Sequence, residues 1–318
     1  MSEQDAFVPI SADDVRSSAQ LIKSYIRTTP VLWLSPEDTG LNGPVCLKLE
    51  SLQITGTFKA RNAFSLLLSA DVPRAGIVAV SGGNFGFAMA YAARALGYPI
   101  TVFVPDFVPE IKARHMRGLG ANVEIVSADV ENLFSVIERR VEETGALSAH
   151  PFDQPEVIAG AGTCAVEFDQ QASGLDTVLV AVGGGGLMAG IAAWMGGRTR
   201  IVAVETTGTP TLYNALQTGE PVTINPEGIA ASSLGAPRIG RYAWRATREH
   251  VHSSVLVTDE QVRASQRELW ETARLITEPG GAAAYAALHS GAYVPEPNER
   301  VGVVVCGANA DPGSIPVH

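Results

Sequence analysis

The feature that most constrains this 318-residue chain is a repeated unit of a short apolar strand, a glycine-rich turn and an alanine-rich helix. The unit first appears as "GIVAVSGGNFGFAMAYAARALG" at residues 76–97 and returns as "DTVLVAVGGGGLMAGIAAWM" at 176–195. Further apolar strands are predicted at 100–105, 122–127, 200–205 and 300–309. Continuously apolar strands that alternate with helices are typical of parallel sheets covered on both faces, so the predicted fold class is α/β.

The order of these units predicts two domains. Three strand units lie between about 75 and 148, and a break is expected near "GALSAHPFDQP" at 145–155. We therefore predict a small domain over residues 73–148 and a large domain built from residues 1–72 and 149–318, each with its own parallel sheet.

Composition excludes several classes of function. Hydrophobic residues make up 46% of the chain and charged residues 18%, which is ample for a buried core. A net charge of −10 argues against a nucleic-acid partner. The N-terminal residues are acidic and polar, and no apolar run reaches about 18 residues, so neither a secretory signal nor a membrane span is expected. The three cysteines are widely spaced, which is typical of reduced thiols, and a cytoplasmic location is predicted.

One lysine stands out in a chain that otherwise uses arginine. There are four lysines against nineteen arginines, and Lys59 follows the segment "TGTF" at 55–58. A surface charge could be of either type. A nucleophilic amine has to be lysine, because guanidinium stays protonated and lysine can lose its proton. Lys59 is therefore a candidate catalytic residue.

Two glycine-rich turns are candidate anion sites. Ser81-Gly82-Gly83-Asn84-Phe85 lies between a predicted strand and a predicted helix, where backbone N–H groups face an anion. A plain tight turn is an equally good interpretation of this motif alone. The run from Gly183 to Gly186 is more specific, because four glycines are costly to order unless the backbone must approach a ligand closely. A phosphate is the expected guest.

The second turn also fits a dinucleotide site. Gly184, Gly186 and Ala189 satisfy the GxGxxA pattern, and Glu205 ends the next strand 21 residues after Gly184, where a ribose-binding acid is expected. An NAD-dependent oxidoreductase is therefore an alternative from another class. It leaves Lys59 and Asn84 without a role.

The last predicted strand ends at Cys306. This cysteine is either a small buried apolar residue or a weak thiol donor at the carboxyl end of a parallel strand, where ligands gather. Metal sites are weaker candidates, since His250 and His252 lack a third ligand at the usual spacing.

Taken in order, these motifs resemble the fold-type II pyridoxal-phosphate (PLP) enzymes, in the branch of threonine/serine dehydratases (ammonia-lyases) and serine racemases. The resemblance spans nearly the whole chain. It is carried by "LKLESLQITGTFKARNA", "SGGNFGFAMAYAARALG", "HPFDQPEVIAGAGTCAVEF", "VGGGGLMAGIA", "EPGGAAAYAAL" and "CGANAD". The implied fold is that of tryptophan synthase β-like enzymes, with two open twisted α/β/α domains.

The resemblance implies a role for each motif. Lys59 would hold PLP as a Schiff base and then act as the general base, and Phe58 would border the cofactor. Asn84 would bond the ring hydroxyl, and Cys306 would lie by the pyridine nitrogen. The remaining implied cofactor contacts are Gly183, Gly184, Gly185, Gly186, Leu187 and Glu278. The implied substrate-binding residues, with Ser81 also counted as catalytic, are Ser81, Gly82, Gly83, Asn84 and Phe85.

The implied reaction is β-elimination of a β-hydroxy amino acid such as L-threonine or L-serine, which gives an α-keto acid and ammonia. A racemase, or a related PLP lyase that takes a bulkier β-hydroxy amino acid, is an alternative of the same fold. A non-catalytic PLP-binding paralogue is a further one. The family also implies a homodimer.

The chain departs from the family pattern at several positions. Gly82 occupies the place of the serine that reprotonates substrate in racemases, so little racemisation is expected. Phe85, Phe87 and Ala161 replace a histidine and two glutamines, which makes the site more apolar. Glu205 matches a family metal ligand, but Thr211 falls where a later aspartate is usual, so no metal site is predicted with certainty.

Overall fold

The computed structural model describes residues 8–127, 130–311 and 313, and its side chains except those of residues 130–134. Residues 1–7, which carry part of the prediction about a secretory signal, lie outside this set. The strands within it are β1 (Val31–Leu34), β2 (Val45–Lys48), β3 (Ile77–Val80), β4 (Ile100–Pro105), β5 (Asn122–Val126), β6 (Leu147–Ala149), β7 (Thr177–Ala181), β8 (Arg200–Thr206), β9 (Val251–Val257) and β10 (Val301–Val304).

The helices alternate with these strands, as the repeated unit predicts. They are α1 (Ala12–Ile22), α2 (Pro36–Thr39), α3 (Lys59–Ser69), α4 (Asn84–Leu96), α5 (Glu110–Gly118), α6 (Val130–Thr144), α7 (Pro155–Gln171), α8 (Gly186–Met195), α9 (Thr211–Thr218), α10 (Ala231–Leu234), α11 (Arg241–His250), α12 (Asp259–Ala273) and α13 (Pro279–His289). None of them, over the residues described, is both long and apolar enough to traverse a lipid bilayer.

The larger sheet has six strands in the order β1-β2-β10-β7-β8-β9. Only the edge pair β1–β2 is antiparallel, and the other pairs are parallel. Strand β10 is inserted between β2 and β7, so Gly302 lies beside Cys46 on one side and Val178 on the other. The inner strands β2, β7 and β10 are buried along their whole length. This burial explains their unbroken apolar sequences.

The smaller sheet has four parallel strands in the order β5-β4-β3-β6. All of its strands come from residues 77–149. The core beneath it also includes Ile22 of α1 and Phe64 and Leu67 of α3, which precede the sheet in the chain. The division of the chain at 72/73 and 148/149 stays a prediction, and these helices show that packing crosses the first of those positions.

Close backbone contacts fix the helices that carry the site. A Cβ atom at Gly162 of α7 would lie 2.6 Å from the carbonyl oxygen of Gly190 in α8. A Cβ at Gly160 would lie 2.6 Å from the carbonyl oxygen of Arg61 in α3. Glycine therefore lets α7 contact both α3 and α8 at the backbone. These two contacts fix the position of the N-terminus of α3 relative to that of α8.

A buried cluster of charged residues anchors α3 from beneath. The guanidinium of Arg61 donates to Glu50 and to Glu167, with N–O distances of 2.8 Å to each, and Lys48 Nζ donates to Glu167 at 2.7 Å. Arg61, Lys48 and Glu50 are completely buried. Burial alone would lower the pKa of Arg61, but the two carboxylates outweigh burial and raise it. Because each charge has a partner, the cluster locks α3 in place without leaving an isolated ion in the core.

Candidate active site

A cavity of about 600 Å³ opens where the carboxyl ends of β3, β7 and β10 converge. This edge is where open parallel sheets bind ligands. The cavity brings together every predicted cofactor- and substrate-binding residue: Phe58, Lys59, Ser81, Gly82, Gly83, Asn84, Phe85, Gly183, Gly184, Gly185, Gly186, Leu187, Glu278 and Cys306. Of the predicted site residues, Glu205 alone is absent from its lining.

Lys59 is the first residue of α3, and the chain before it is held against the end of β10. Thr57 forms an isolated bridge with Gly307, and the Phe58 N–H donates to the Cys306 carbonyl at 3.2 Å. The Lys59 amine donates to the carbonyl of Pro151 at 2.7 Å and lies 4.9 Å from the centroid of the Phe58 ring. Burial lowers the pKa of Lys59 to about 8, against the opposing effect of Cys306 and Glu278. The amine is therefore available in its neutral form close to physiological pH.

The four glycines form a cradle at the N-terminus of α8. Gly185 has a φ of 85°, a left-handed conformation that suits glycine. A Cβ at Gly184 would lie 2.3 Å from the ring of Phe152, and one at Gly183 would lie 2.9 Å from the carbonyl oxygen of Leu234. No side chain fits at either position, so the backbone itself lines the cavity. The first N–H groups of a helix have no carbonyl partner within it, which makes this loop a site for an anion.

The Ser81–Phe85 turn places a second set of backbone N–H groups on the cavity wall. It follows β3 and begins α4, and the Gly83 N–H donates to Ser81 Oγ at 3.2 Å. A Cβ at Gly86 would lie 2.2 Å from the carbonyl oxygen of Ser81, so the turn closes tightly around a glycine. The turn can bind a small anion such as a carboxylate.

Asn84 is fixed by partners on both sides. Its amide nitrogen donates to Glu278 Oε1 at 2.7 Å, and its amide oxygen accepts from Asn309 Nδ2 at 2.9 Å. Asn309 also donates to the carbonyl of Thr55 at 2.9 Å. Burial raises the pKa of Glu278 to about 7, while the bond from Asn84 and the charge of Lys112 oppose this rise. The sequence motif "CGANAD" contains Asn309, but nothing in its spacing indicated that this residue positions Asn84.

Cys306 is buried at the end of β10, and its Sγ donates to the carbonyl of Gly280 at 3.3 Å. Burial raises the pKa of the Cys306 thiol, and the neighbouring Glu278 raises it further. The side chain therefore remains a neutral thiol. Cys46 and Cys164 are also buried and free.

Glu205 does not line the cavity. It is completely buried, and its carboxylate accepts from the backbone N–H groups of Leu212 and Tyr213 at 2.7 Å each and from Thr211 Oγ1 at 3.0 Å. It thus caps the N-terminus of α9, and burial raises its pKa to about 7 against these bonds. Within the described residues, no three or more histidine, cysteine, aspartate or glutamate side chains group together as a metal site. Glu205 as a metal ligand stays a prediction.

Several cavity residues were not identified from the sequence. Phe152 packs on the glycine loop, and Phe107, Val108 and Lys112 lie at the mouth beyond β4. Ser232 and Ser233 form the facing wall in α10. Phe152 lies in the quoted segment "HPFDQPEVIAGAGTCAVEF", although no role was assigned to it. The others lie outside the quoted motifs, so only their proximity in space reveals them.

The family of the chain follows from comparison with known proteins. A family model described as pyridoxal-phosphate dependent enzyme matches residues 22–307. The chain belongs to the family of pyridoxal-phosphate dependent enzymes. The predictions of a fold-type II α/β architecture and of PLP as the cofactor are confirmed.

The individual relatives belong to the branch of dehydratases, deaminases and serine racemases. The chain is 35% identical to a phenylserine dehydratase of Ralstonia pickettii, over 93% of this chain and 92% of that protein. Among solved structures, the serine racemase of Dictyostelium discoideum has a TM-score of 0.87 and 31% identity, covering 95% of this chain and 99% of the racemase. A threonine deaminase from T.th. has a TM-score of 0.87 and 33% identity, with the same coverage.

These matches confirm the predicted enzyme class, a PLP-dependent ammonia-lyase of the dehydratase type that works by β-elimination. The NAD-dependent alternative fails on the structure as well as on the family. A ribose-binding acid must face the ligand. Glu205 instead directs its carboxylate to the first turn of α9.

The cavity fits PLP on its own geometry. The glycine cradle packs too closely on Phe152 and Leu234 to accept a Cβ, and its backbone N–H groups suit the phosphate. The Lys59 amine suits covalent attachment of the aldehyde. Asn84 and the neutral Cys306 thiol would be the polar groups next to the ring. When bound, PLP supplies an electron sink for the bonds at the substrate α-carbon.

Proposed function

We propose that this enzyme releases ammonia from a β-hydroxy amino acid and leaves the corresponding α-keto acid. The observation that carries the proposal is the meeting, in one cavity, of a lysine with a lowered pKa and two separate anion-binding turns. One turn suits a phosphate and the other a substrate carboxylate. The names of the relatives, which include phenylserine dehydratase and threonine deaminase, support the same reaction.

We assign the proton transfers to groups on the cavity wall. Lys59 would take the α-proton through its neutral amine. The Ser81–Phe85 turn holds the carboxylate with its N–H groups and the Ser81 hydroxyl. The β-hydroxyl departs as water with the proton that Lys59 has taken from the α-carbon, which returns the amine to its neutral form. One water is lost and one is consumed when the amino group is released as ammonia, so the balance is an amino acid converted to a keto acid and ammonium.

An assay of ammonia release tests the proposal. Purified holoenzyme is supplied with L-threonine, L-serine and L-threo-phenylserine, and ammonia and keto acid are measured. We expect equimolar products from at least one of them, and none from Lys59→Ala. A holoenzyme that is inert to all three substrates would contradict the proposal, as would a Lys59→Ala variant that keeps its turnover.

Racemisation is the second candidate, because serine racemases share this fold. The cavity disfavours it. Gly82 has no side-chain proton, and the space that a Cβ would take there is filled by Val108, whose Cγ2 would lie 2.3 Å away. We therefore expect formation of D-serine from L-serine, and of D-allothreonine from L-threonine, to be far slower than ammonia release, measured by chiral chromatography on the same reaction.

We further propose a homodimer in the cytoplasm. The family resemblance supports the first part by analogy. The three free, buried cysteines suit a reducing compartment and support the second. Sedimentation of the purified holoenzyme tests the dimer.

A further inference from the structure

We propose that Phe107 and Val108 form the binding surface for the β-substituent of the substrate, and that this substituent is an aromatic ring. The proposal rests on the proposed function, since it names the class of β-hydroxy amino acid that the same cavity takes. It starts from the loop between β4 and α5, which the sequence motifs did not include.

Phe107 is exposed over 71% of its surface and yet borders the cavity. The loop that carries it is held by backbone bonds on both sides of the ring. The Val108 N–H donates to the Pro105 carbonyl at 3.0 Å, and the Asp106 N–H donates to the Val126 carbonyl at 3.1 Å. The ring is therefore presented at the mouth by an ordered turn, with a large apolar area left for a ligand to cover.

Val108 extends this apolar surface to the Ser81–Phe85 turn, which is called the carboxylate turn because it suits the substrate carboxylate. Its isopropyl group lies directly over Gly82, because a Cβ built there would meet both of its methyl carbons, at 2.3 and 2.8 Å. In an amino acid the carboxylate carbon and Cβ are joined through one atom. A substrate whose carboxylate binds the Ser81–Phe85 turn therefore carries its β-substituent toward the walls next to that turn, of which Val108 is one.

The walls beyond these two residues are also apolar. Phe85 is buried with its ring centroid 5.5 Å from Lys59 Nζ, so an aromatic ring already borders the reacting groups. Further apolar side chains of the lining include Phe58, Val80, Pro105, Phe152, Leu187 and Leu234. A hydrogen or methyl group at Cβ, as in serine or threonine, leaves the surface of Phe107 and Val108 uncovered, whereas an aryl group covers it and gains from that burial.

Lys112 offers the main argument for a different class. It borders the same mouth, and a cation there could bind a substrate with a carboxylate at Cβ, such as β-hydroxyaspartate. The charge of Lys112 already acts on Glu278, where it opposes the rise in pKa that burial causes. The apolar surface is larger than one ammonium group, and Val108 packs directly on Gly82 of the carboxylate turn, so the apolar surface decides the class.

The first test compares kcat/KM for L-threo-phenylserine and L-threonine on the holoenzyme. We expect the wild type to prefer phenylserine at least about tenfold. Phe107→Ala should lower the value for phenylserine roughly tenfold or more and that for threonine less than about threefold. Ile111→Ala is the matched control, because Ile111 is 48% exposed on the adjoining α5 and lies outside the cavity lining. This control should change neither value.

The second test needs no turnover. L-Phenylalanine and L-alanine lack the β-hydroxyl and cannot eliminate water, so their binding is followed by the change in the visible spectrum of the holoenzyme. We expect L-phenylalanine to bind about tenfold more tightly than L-alanine, and Phe107→Ala to abolish most of this difference. Val108→Ala should reduce it as well.

Three outcomes would overturn the inference: preference of the wild type for threonine or β-hydroxyaspartate, equal binding of L-phenylalanine and L-alanine, or selectivity unchanged in Phe107→Ala. Failure of the proposed function looks different. In that case no β-hydroxy amino acid releases ammonia, while the binding comparison still decides whether the mouth recognises an aromatic ring.

Discussion

At the scale of single residues, the chemistry depends on where burial sets a pKa. Lys59 and Glu278 share one cavity, and burial moves the pKa of each toward neutral pH. The pKa of the amine falls to about 8, and that of the carboxyl rises to about 7. Cys306, which lines the same cavity, is shifted away from ionisation. The cavity therefore contains a base that can lose its proton and a thiol that keeps it.

The lowered pKa of Lys59 predicts how the rate of PLP attachment depends on pH. Because the pKa of Lys59 is about 8, the neutral amine increases as the pH rises through that value. The rate of PLP attachment to the apoprotein, followed by visible absorbance, should rise about tenfold per pH unit below 8 and level off above it. Lys59→Arg is the control and should show no attachment. A rate that keeps rising tenfold per pH unit through pH 9 would indicate an ordinary lysine pKa and would contradict the lowered one.

The raised pKa of Glu278 predicts that the stability of the folded protein falls as the pH rises. A folded-state pKa of about 7 lies above the ordinary 4.5, so the stabilisation from protonated Glu278 is present below pH 4.5 and is lost as the pH rises to 7. Relative to Glu278→Gln, the wild-type apoprotein should lose roughly 3 kcal/mol of unfolding free energy across that range. Urea unfolding of both proteins at pH 5, 6 and 7 measures this, and a constant difference would contradict it.

At the scale of elements, the site is built where helix and strand ends are held by glycine contacts and buried charges. The glycine cradle and Lys59 start two helices, α8 and α3, that meet through α7. The sequence could predict these starts because a glycine run or a lone lysine after a turn is a local signal. It could not predict Val108 over Gly82 or Phe152 under Gly184, since both contacts join distant parts of the chain.

The contact of Gly82 with Val108 predicts a rescue. Gly82→Ala should lower kcat/KM at least about tenfold, because the new methyl displaces the β4–α5 loop from the carboxylate turn. Adding Val108→Ala removes both nearby methyl carbons and should restore most of that loss, measured as a double-mutant cycle on ammonia release. Strictly additive effects would show that the two side chains do not compete for this space.

The buried cluster under α3 predicts a large effect on folding. Arg61→Met leaves Glu50 buried without its partner and should lower the free energy of unfolding by about 3–5 kcal/mol in urea. Arg140→Met is the matched control, since the Arg140–Glu124 pair is about one-third exposed, and it should cost less than about 1 kcal/mol. Equal losses in the two variants would mean that burial of the cluster does not matter.

At the scale of the whole molecule, the alternation of strands and helices was enough to predict two parallel sheets. The strand order was not predictable in the same way, because it depends on which sheet edge each helix returns to. The predicted boundary at 72/73 also meets a physical difficulty, since α1 and α3 pack beneath the smaller sheet although they precede it. Hydrophobic periodicity identifies a buried face but does not say which sheet buries it.

The position of β10 has a consequence for synthesis on the ribosome. This strand, at residues 301–304, inserts between β2 and β7, which are made about 250 and 120 residues earlier. Until residue 304 has emerged, the nascent sheet has an unfilled slot whose two edges expose unpaired N–H and C=O groups. Such edges invite pairing with other chains. The growing polypeptide therefore keeps these edges open until late in translation, and Cys306, which follows β10, is the last residue of the cavity lining to be synthesised.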